Sequence, residues 1–490
     1  MKNTNNITSL FFICLATSLF TLDLGIVSIA LINIESSFSI SNSVTSWVIT
    51  VFSISSGIGI ISLGFLSKYF GRKNVYIYGI LGFTISSNLC GLSPSIEYLL
   101  LFRAFQGFFG AGLVALSQAI VIDIFTEKNR SKAISAWTFG LLAGPVIGPL
   151  LGGYLIEYLN WRWIFFINLP IGLLAFFGLN YNLKNDKQIN IKTINFFAFI
   201  LLSIATACLQ LTLDRGDLEG WFDSKFILII FLIAISTFII FLFNNIKTTH
   251  PLFPRALFKD RFYIGGVIFA FLFGFILIPP FLLIPIYLTE VQSFPIYLVG
   301  FILSCSAMGG MLITFFMSTI IKKLGNVITM IVGLSIYMLA NLEVTFWTNQ
   351  ISTYHIIFNS LFRGISISFF YVPLANITYT TLPNYLRTDG ASLFQLLRTL
   401  GTGTSVAIFV TLFNRYYKIN FDNLRSWFNY SNQGVSDLLN TKELLLENKL
   451  YFLKIMELNS SINSLMSDFL VLAICPFLFF PFFILFRRAN

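Results

Sequence analysis

Runs of about twenty apolar residues recur along the whole chain, and one helical crossing of a lipid bilayer requires a run of about that length. They fall near residues 8–33, 45–66, 74–93, 97–122, 132–156, 162–183, 192–212, 226–245, 262–289, 296–321, 325–346, 352–381, 394–414 and 466–486. A closed β-barrel is the other backbone arrangement that spans a membrane. Barrel strands would alternate over about ten residues, whereas these runs are unbroken. The expected fold class is all-α, a polytopic membrane protein with about fourteen transmembrane helices. Only 11% of the 490 residues are charged, against roughly a quarter in a soluble domain, so water is not the main solvent.

The net charge of +10 raises the question of nucleic acid, and the positions of the charges answer it. With the N-terminus placed in the cytoplasm, the inner segments hold Lys2, Lys68, Arg72, Lys73, Lys128, Arg130, Lys132, Lys184, Lys187, Lys192, Lys247, Arg255, Lys259, Arg261, Lys322, Lys323, Arg387, Arg487 and Arg488. The short outer loops hold only Arg162, Arg215 and Lys225. This bias predicts both termini inside and an even number of spans. It reads the basic balance as topology and contact with anionic membrane lipid, with no nucleic-acid partner. The expected location is the cell inner (plasma) membrane. Residues 1–24 are read as a retained first helix, because no small-residue cleavage site ends the apolar stretch. The five cysteines all lie inside apolar runs, which argues against a disulfide framework.

Two segments break the rhythm. Residues 184–192 (KNDKQINIK) form a polar cytoplasmic link. Residues 414–465 form a charged stretch on the outer side, and within it DLLNTKELLLENKLYFLKIMEL has apolar residues at helical spacing. Two readings stand for that helix: packing on its own protein, or docking of a partner outside the membrane.

A charge at membrane depth is costly unless paired or hydrated, so it is a functional candidate by default. The candidates are Asp23, Arg103, Glu343, Arg363 and Arg398. A buried carboxylate such as Asp23 suits loading and releasing protons, or pairing with a buried arginine, and the two roles are compatible. Arg103 and Arg398 stay charged and each needs a partner or water. Glu343 sits near the outer end of its run, where snorkelling accounts for it. Arg363 lies mid-span and needs some partner. Gly140, Gly144, Gly148 and Gly152 recur every four residues, with Pro145 and Pro149 beside them and Gly153 following. Such a stripe lets another backbone approach closely, and the prolines soften the helix. The combination points to a hinge at a gating interface, with close packing alone as the alternative. No P-loop occurs and no Cys/His cluster has metal spacing, so no cofactor, metal site or catalytic constellation is expected. Transport driven by an ion gradient remains.

With these residues in hand, the chain resembles the major facilitator superfamily, and within it the fourteen-span drug:proton antiporters of the EmrB/QacA type. LDLGIVSIAL resembles the family's LDxTIVNVALP, with Asp23 at the acidic position and Gly25, Ser28 and Ile32 departing from it. GFLSKYFGRK resembles the loop GxLaDRxGRK and keeps Gly64, Gly71, Arg72 and Lys73. Its acidic position holds Lys68, so a conformational lock built on that carboxylate is not expected. LLLFRAFQGFFGAG places Arg103, Gln106 and Gly107 on LxxxRxxQGxGaa, and GPVIGPLLGG resembles the antiporter signature. LQLTLDRGDLEGWFDS resembles the LQxxLDRGxxxDWFxS of the EmrB branch, and ASLFQLLRTLGTGTSVA places Arg398 and Gly401 on a further motif.

The resemblance implies two six-helix bundles, 1–183 and 262–490, the second including the outer loop 414–465. It implies two inserted helices within 184–261. It implies alternating access, with Asp23, Arg103 and Arg398 as proton-coupling candidates and the proton gradient as the energy source. The expected function is proton-coupled export of small amphipathic compounds. A dedicated metabolite or siderophore exporter and a facilitator without proton coupling are the rivals. The branch also implies a periplasmic adaptor protein and an outer-membrane channel as partners, where the organism has two membranes.

Overall fold

The computed structural model describes residues 2–183, 195–348, 350–427 and 445–486. Among them every regular element is helical. We number the long helices α1 (Lys2–Phe38), α2 (Trp47–Phe70), α3 (Arg72–Gly91), α4 (Ile96–Ile124), α5 (Glu127–Tyr158), α6 (Asn168–Asn182), α7 (Phe196–Arg215) and α8 (Lys225–Lys247). The chain continues through α9 (Arg261–Val291), α10 (Ile296–Leu324), α11 (Asn326–Val344), α12 (Thr353–Thr378), α13 (Arg387–Trp427) and α14 (Leu445–Ile474). After α14 the chain tightens into a 3-10 segment, Cys475–Phe486. Within α9 the helix is interrupted before Pro279 and ends in a π-helical turn, Tyr287–Val291.

Thirteen of these helices are long and apolar enough to cross a membrane. The expected third span, near 74–93, forms as α3 but falls short of the apolarity of the others, because it carries Thr84, Ser86, Ser87 and Asn88. Thr84, Ser86 and Ser87 are buried, and Gly79 of α3 faces the Phe109 carbonyl of α4. A span shielded by its neighbours does not need an apolar surface. Helix α1 packs on α5, and α2 and α3 on α4; α10 and α11 pack on α12, and α9 and α14 on α13. These contacts group α1–α6 as one bundle and α9–α14 as a second, with α7 paired to α8.

Local chemistry explains the element ends. Gly71 and Gly325, at φ +84° and +81°, carry the tight reversals from α2 to α3 and from α10 to α11. Asp260 caps α9 by accepting from the Phe262 and Tyr263 amides.

Two expectations need correction. The run expected at 394–414 is part of a helix from Arg387 to Trp427, and the run at 466–486 begins inside a helix that starts at Leu445 and ends at Ile474. Much of the polar stretch 414–465 is therefore helical extension beyond the apolar spans. It is held by Asn420 Nδ2 donating to Ser464 Oγ (3.2 Å) and by Tyr417 stacked on Phe421. The middle of that stretch, the start of the amphipathic segment, the 184–192 link, and Arg487 and Arg488 lie outside the described residues.

The second correction concerns the glycine stripe. Gly140, Gly144, Gly148 and Gly152 face α1 of the same bundle, not the other bundle. A Cβ at Gly140 would meet Cys14, one at Gly144 Thr21 and Leu22, and one at Gly148 or Gly152 the stretch Leu22–Ile26. A different face of α5 meets the second bundle. Ser304 Oγ of α10 donates to the Val146 carbonyl (2.9 Å), and Gly300 lies against Pro149. Pro145 and Pro149 leave α5 continuous from Glu127 to Tyr158. The stripe cements one bundle while its helix also forms the border with the other.

Replacing Gly144 by valine forces a Cβ into the backbone of α1 and should abolish the monodisperse fold in detergent, read by gel filtration. Gly153→Val, where nothing lies within 4 Å of an added Cβ, should leave the elution profile unchanged.

Candidate functional site

Asp23 and Arg103 lie on adjacent helices of the first bundle, and both side chains are sealed from solvent, 0% and 1% exposed. Arg103 Nη1 donates to Asp23 Oδ2 (2.6 Å) and to Gln106 Oε1 (2.7 Å). Gln106 Nε2 donates to Asp23 Oδ1 (2.8 Å), and Asn168 Nδ2 lies 3.4 Å from the same oxygen. Arg103 Nε donates to the Val48 carbonyl (3.2 Å), and the guanidinium stands 4.1 Å from the centre of the Phe52 ring. Asn168 Nδ2 also donates to Ser87 Oγ (3.0 Å). Helices α1 and α2 thus meet the guanidinium of α4 directly, and α6 and α3 join the network through Asn168 and Ser87. The spacing RxxQ puts Arg103 and Gln106 one turn apart on the same face of α4. Gly107 lets α2 come close enough, since a Cβ there would collide with Ser55 and the Phe52 carbonyl. The cluster sits near the end of α4 at Ile96, remote from the basic loops.

Arg398 is placed differently. Its side chain is half-buried, and among the described residues it has no ion pair or hydrogen bond. Its one contact of note is the Tyr371 ring at 5.8 Å. Tyr371 in turn stacks on Trp137 of α5 at 6.2 Å, so aromatic rings from both bundles meet beside this cation.

Arg363 and Glu343, which the sequence leaves without partners, belong to one network in the second bundle. Arg363 Nη2 donates to Asn359 Oδ1 (2.5 Å), and Asn359 Nδ2 donates to Glu343 Oε2 (2.9 Å) and to the Ala340 carbonyl (2.8 Å). Glu343 also pairs with His355. Glu343 stands at the end of α11 with its side chain 39% exposed, as a snorkelling carboxylate does, and two partners hold it there.

The loop motif carries a correction. Lys68 meets the fully buried Asp389 of α13 at 2.5 Å. Arg72 pairs with Asp123 of α4, and Asp123 also pairs with Arg387 of α13 (2.5 Å). Arg72 Nη2 donates to the Asn384 carbonyl (2.8 Å). Gly64 leaves the space that Asp389 fills, and Lys73 Nζ donates to the Asn180 carbonyl (3.1 Å). A cross-bundle lock is present at the basic end with its polarity reversed: the cation stands on the loop motif and the carboxylate on the opposite bundle.

Sequence reasoning passed over Asp123 and Asp389 because only charges inside apolar runs were weighed. Their signal is an acid at span ends where Lys and Arg otherwise dominate. It also passed over Asp468, buried in α14 with neither carboxylate oxygen hydrogen-bonded among the described residues, a functional candidate on the same physical ground as Asp23. Among the described residues no group of three or more His, Cys, Asp or Glu is placed to hold a metal, and the five cysteines are free thiols.

The reversed lock makes a charge-swap test decisive. Lys68→Asp or Asp389→Lys alone puts like charges in contact and should shift the population away from the closed basic end by about ten-fold. This would be read as thiol labelling of a cysteine placed behind the lock. The double swap should restore the wild-type labelling rate.

The chain has known relatives. The sequence profile of the Major Facilitator Superfamily matches residues 13–406. The multidrug export protein EmrB of Haemophilus influenzae is 30% identical over 405 residues, 81% of this chain and 78% of that protein. The fatty acid resistance protein FarB of Neisseria gonorrhoeae is 28% identical, covering 82% and 79%. Among solved structures, the human organic anion transporter MFSD10 shares the fold with a TM-score of 0.61 at 14% identity, over 97% of this chain and 99% of that one. The proton:xylose symporter XylE does so with a TM-score of 0.59, also at 14% identity, over 97% and 95%. With the helical bundles and the cross-bundle lock, these matches place the chain in the Major Facilitator Superfamily, as a multi-pass membrane transporter and not an enzyme.

Proposed function

We propose that this protein is a proton-coupled exporter of small amphipathic compounds that works by alternating access. The observation that carries the reading is the buried Asp23–Arg103 pair. It is the one carboxylate–guanidinium contact sealed inside a bundle among the described residues, and it lies toward the end opposite the lock. Removing one charge from a buried pair leaves the other uncompensated, at a cost of roughly 3–5 kcal/mol. A proton arriving at Asp23 therefore has enough leverage to shift a conformational equilibrium, provided the two states differ in their affinity for it.

The leverage has a physical route. Asp23 is on α1, α1 is packed tightly on the glycine face of α5, and α5 borders α10 through Val146 and Ser304. A shift of α1 is thereby passed to the contact between bundles 1–183 and 262–490, with 184–261 inserted between them. No cofactor enters the scheme; the proton gradient supplies the drive.

The Lys and Arg distribution supports a plasma or inner membrane location with both termini cytoplasmic, so the lock closes the cytoplasmic side and the Asp23 cluster lies toward the outside. Arg398, a half-buried cation between aromatic rings, suits compounds with an apolar body and an acidic or polar head. Relatives named for multidrug export and fatty acid resistance support that class. The helices α13 and α14 extend past their apolar runs on the outer side. At 41 residues, α13 is about 60 Å long and offers a docking surface for an adaptor protein that leads to an outer-membrane channel.

The test is transport in proteoliposomes under an imposed pH gradient, with a fluorescent amphipathic dye as substrate. Wild type should accumulate dye against its concentration gradient. Asp23→Asn and Arg103→Ala should lose gradient-driven accumulation by ten-fold or more. Wild-type uptake that ignores the pH gradient would rule out proton antiport.

A further inference from the structure

The segment LDRGDLEGW between α7 and α8 has no part in the proton site, yet it is built with care. Gly220 adopts φ +78° and Trp221 φ +54°, and the Trp221 amide donates to the Gly216 carbonyl (2.6 Å). Gly216 leaves room for the Trp221 ring, which a Cβ there would approach to 2.6 Å. The loop is thus folded back onto the end of α7, with Trp221 held in one place.

That place is a border between bundles. Helix α7 runs along α2 of the first bundle from end to end. Phe199 packs on Phe65 (5.1 Å between ring centres) near the basic end, and the Arg215 guanidinium stands 4.3 Å from the Trp47 ring at the other end. Toward the outer end, α7 and the turn after it also reach α13 of the second bundle. Gln210 fills the space beside Gly403, where an added Cβ would come within 2.9 Å of it. Trp221 Nε1 donates to Thr411 Oγ1 (3.1 Å), and Asn414 Nδ2 donates to Asp217 Oδ2 (2.6 Å). At the basic end α2 and α13 meet directly, with Gly64 and Lys68 against Asp389. Toward the other end Gln210 and the turn at Asp217 and Trp221 reach α13.

We propose that α7 is a lateral seal: fixed to the first bundle along α2, it plugs the outer gap between α2 and α13, and the Asp217 and Trp221 contacts latch it to the second bundle. An amphipathic compound released into an outward-open cavity would partition sideways into lipid if that gap were open. The seal directs release to the aqueous outer face. When the bundles rock and the outer ends of α2 and α13 approach, α7 travels with α2, and the latch to α13 breaks. The orientation of outer and inner ends rests on the topology proposed above. Proton coupling does not enter, so the test reads downhill substrate exchange, which survives a loss of coupling.

Two cysteine pairs separate fixed from moving contacts: Asp217→Cys with Asn414→Cys across the latch, and Trp47→Cys with Arg215→Cys between α7 and α2. Each is joined in proteoliposomes with a short bis-methanethiosulfonate and then cleaved with dithiothreitol. Dye exchange should fall at least ten-fold when the latch pair is joined and recover on cleavage. Joining the α2 pair should leave exchange unchanged. Trp221→Cys with Thr411→Cys, and Phe65→Cys with Phe199→Cys, repeat the two arms should either first pair fold poorly. Exchange unaffected by a joined latch, a latch that cannot be joined at all, or arrest by the α2 cross-link would each overturn the proposal.

Discussion

Arg103 carries a guanidinium charge that is sealed from water, and the first bundle is arranged around that fact. Its Nη1, its Nε and the face of its guanidinium are taken up by Asp23 and Gln106, by the Val48 carbonyl and by Phe52. Each partner comes from a helix that must be in register for the charge to be tolerated. Asn168 and Ser87 extend the network to α6 and α3. The second bundle repeats the solution with a neutral first partner: Arg363 bonds to Asn359, Asn359 to Glu343, and the guanidinium lies 5.7 Å from the Phe469 ring. In each half a buried arginine organises the polar contacts of its bundle, and only in the first is its direct partner a sealed carboxylate.

The two bundles are joined by contacts of a different kind. At the basic end the ties are charge pairs, Lys68 with Asp389 and Arg387 with Asp123, each with one partner, Lys68 or Asp123, open to water. Partly hydrated pairs are weaker than sealed ones and can be remade. At the other end the ties are neutral or singly charged hydrogen bonds made through the inserted segment. This gradient, strong within a bundle and weaker between bundles, is what a transporter that rocks as two bodies requires.

The architecture was legible in the sequence because the bilayer imposes a length on every span and a bias on every loop. Asp23 and Arg103 stood out for the same reason, as charges where charge is expensive. What the sequence could not give was direction around each helix axis. The spacing of Gly140 to Gly152 marks a close-packing face but not its occupant, and that face turned out to meet α1. Lys68 looked like a lost lock, since one residue at one position cannot reveal that Asp389, over three hundred residues away, carries the matching charge. Glu343 is the end-of-helix acid the sequence suggests, but its partners Asn359 and His355 reach it from another helix and leave no local signal. The extension of α13 left no apolar run to read, being polar helix packed on helix outside the membrane, whereas α14 starts within the segment whose helical spacing is legible.

The account rests on the proton at Asp23 and the exported compound favouring different states of the transporter, so that binding of one promotes release of the other. Proton release on substrate binding, followed with a pH indicator on purified protein in weakly buffered detergent, measures that without any gradient. The account predicts that a saturating exported compound releases protons from wild type and that Asp23→Asn binds the same compound without release. Equal release from both proteins, or none from wild type at saturation, would contradict it.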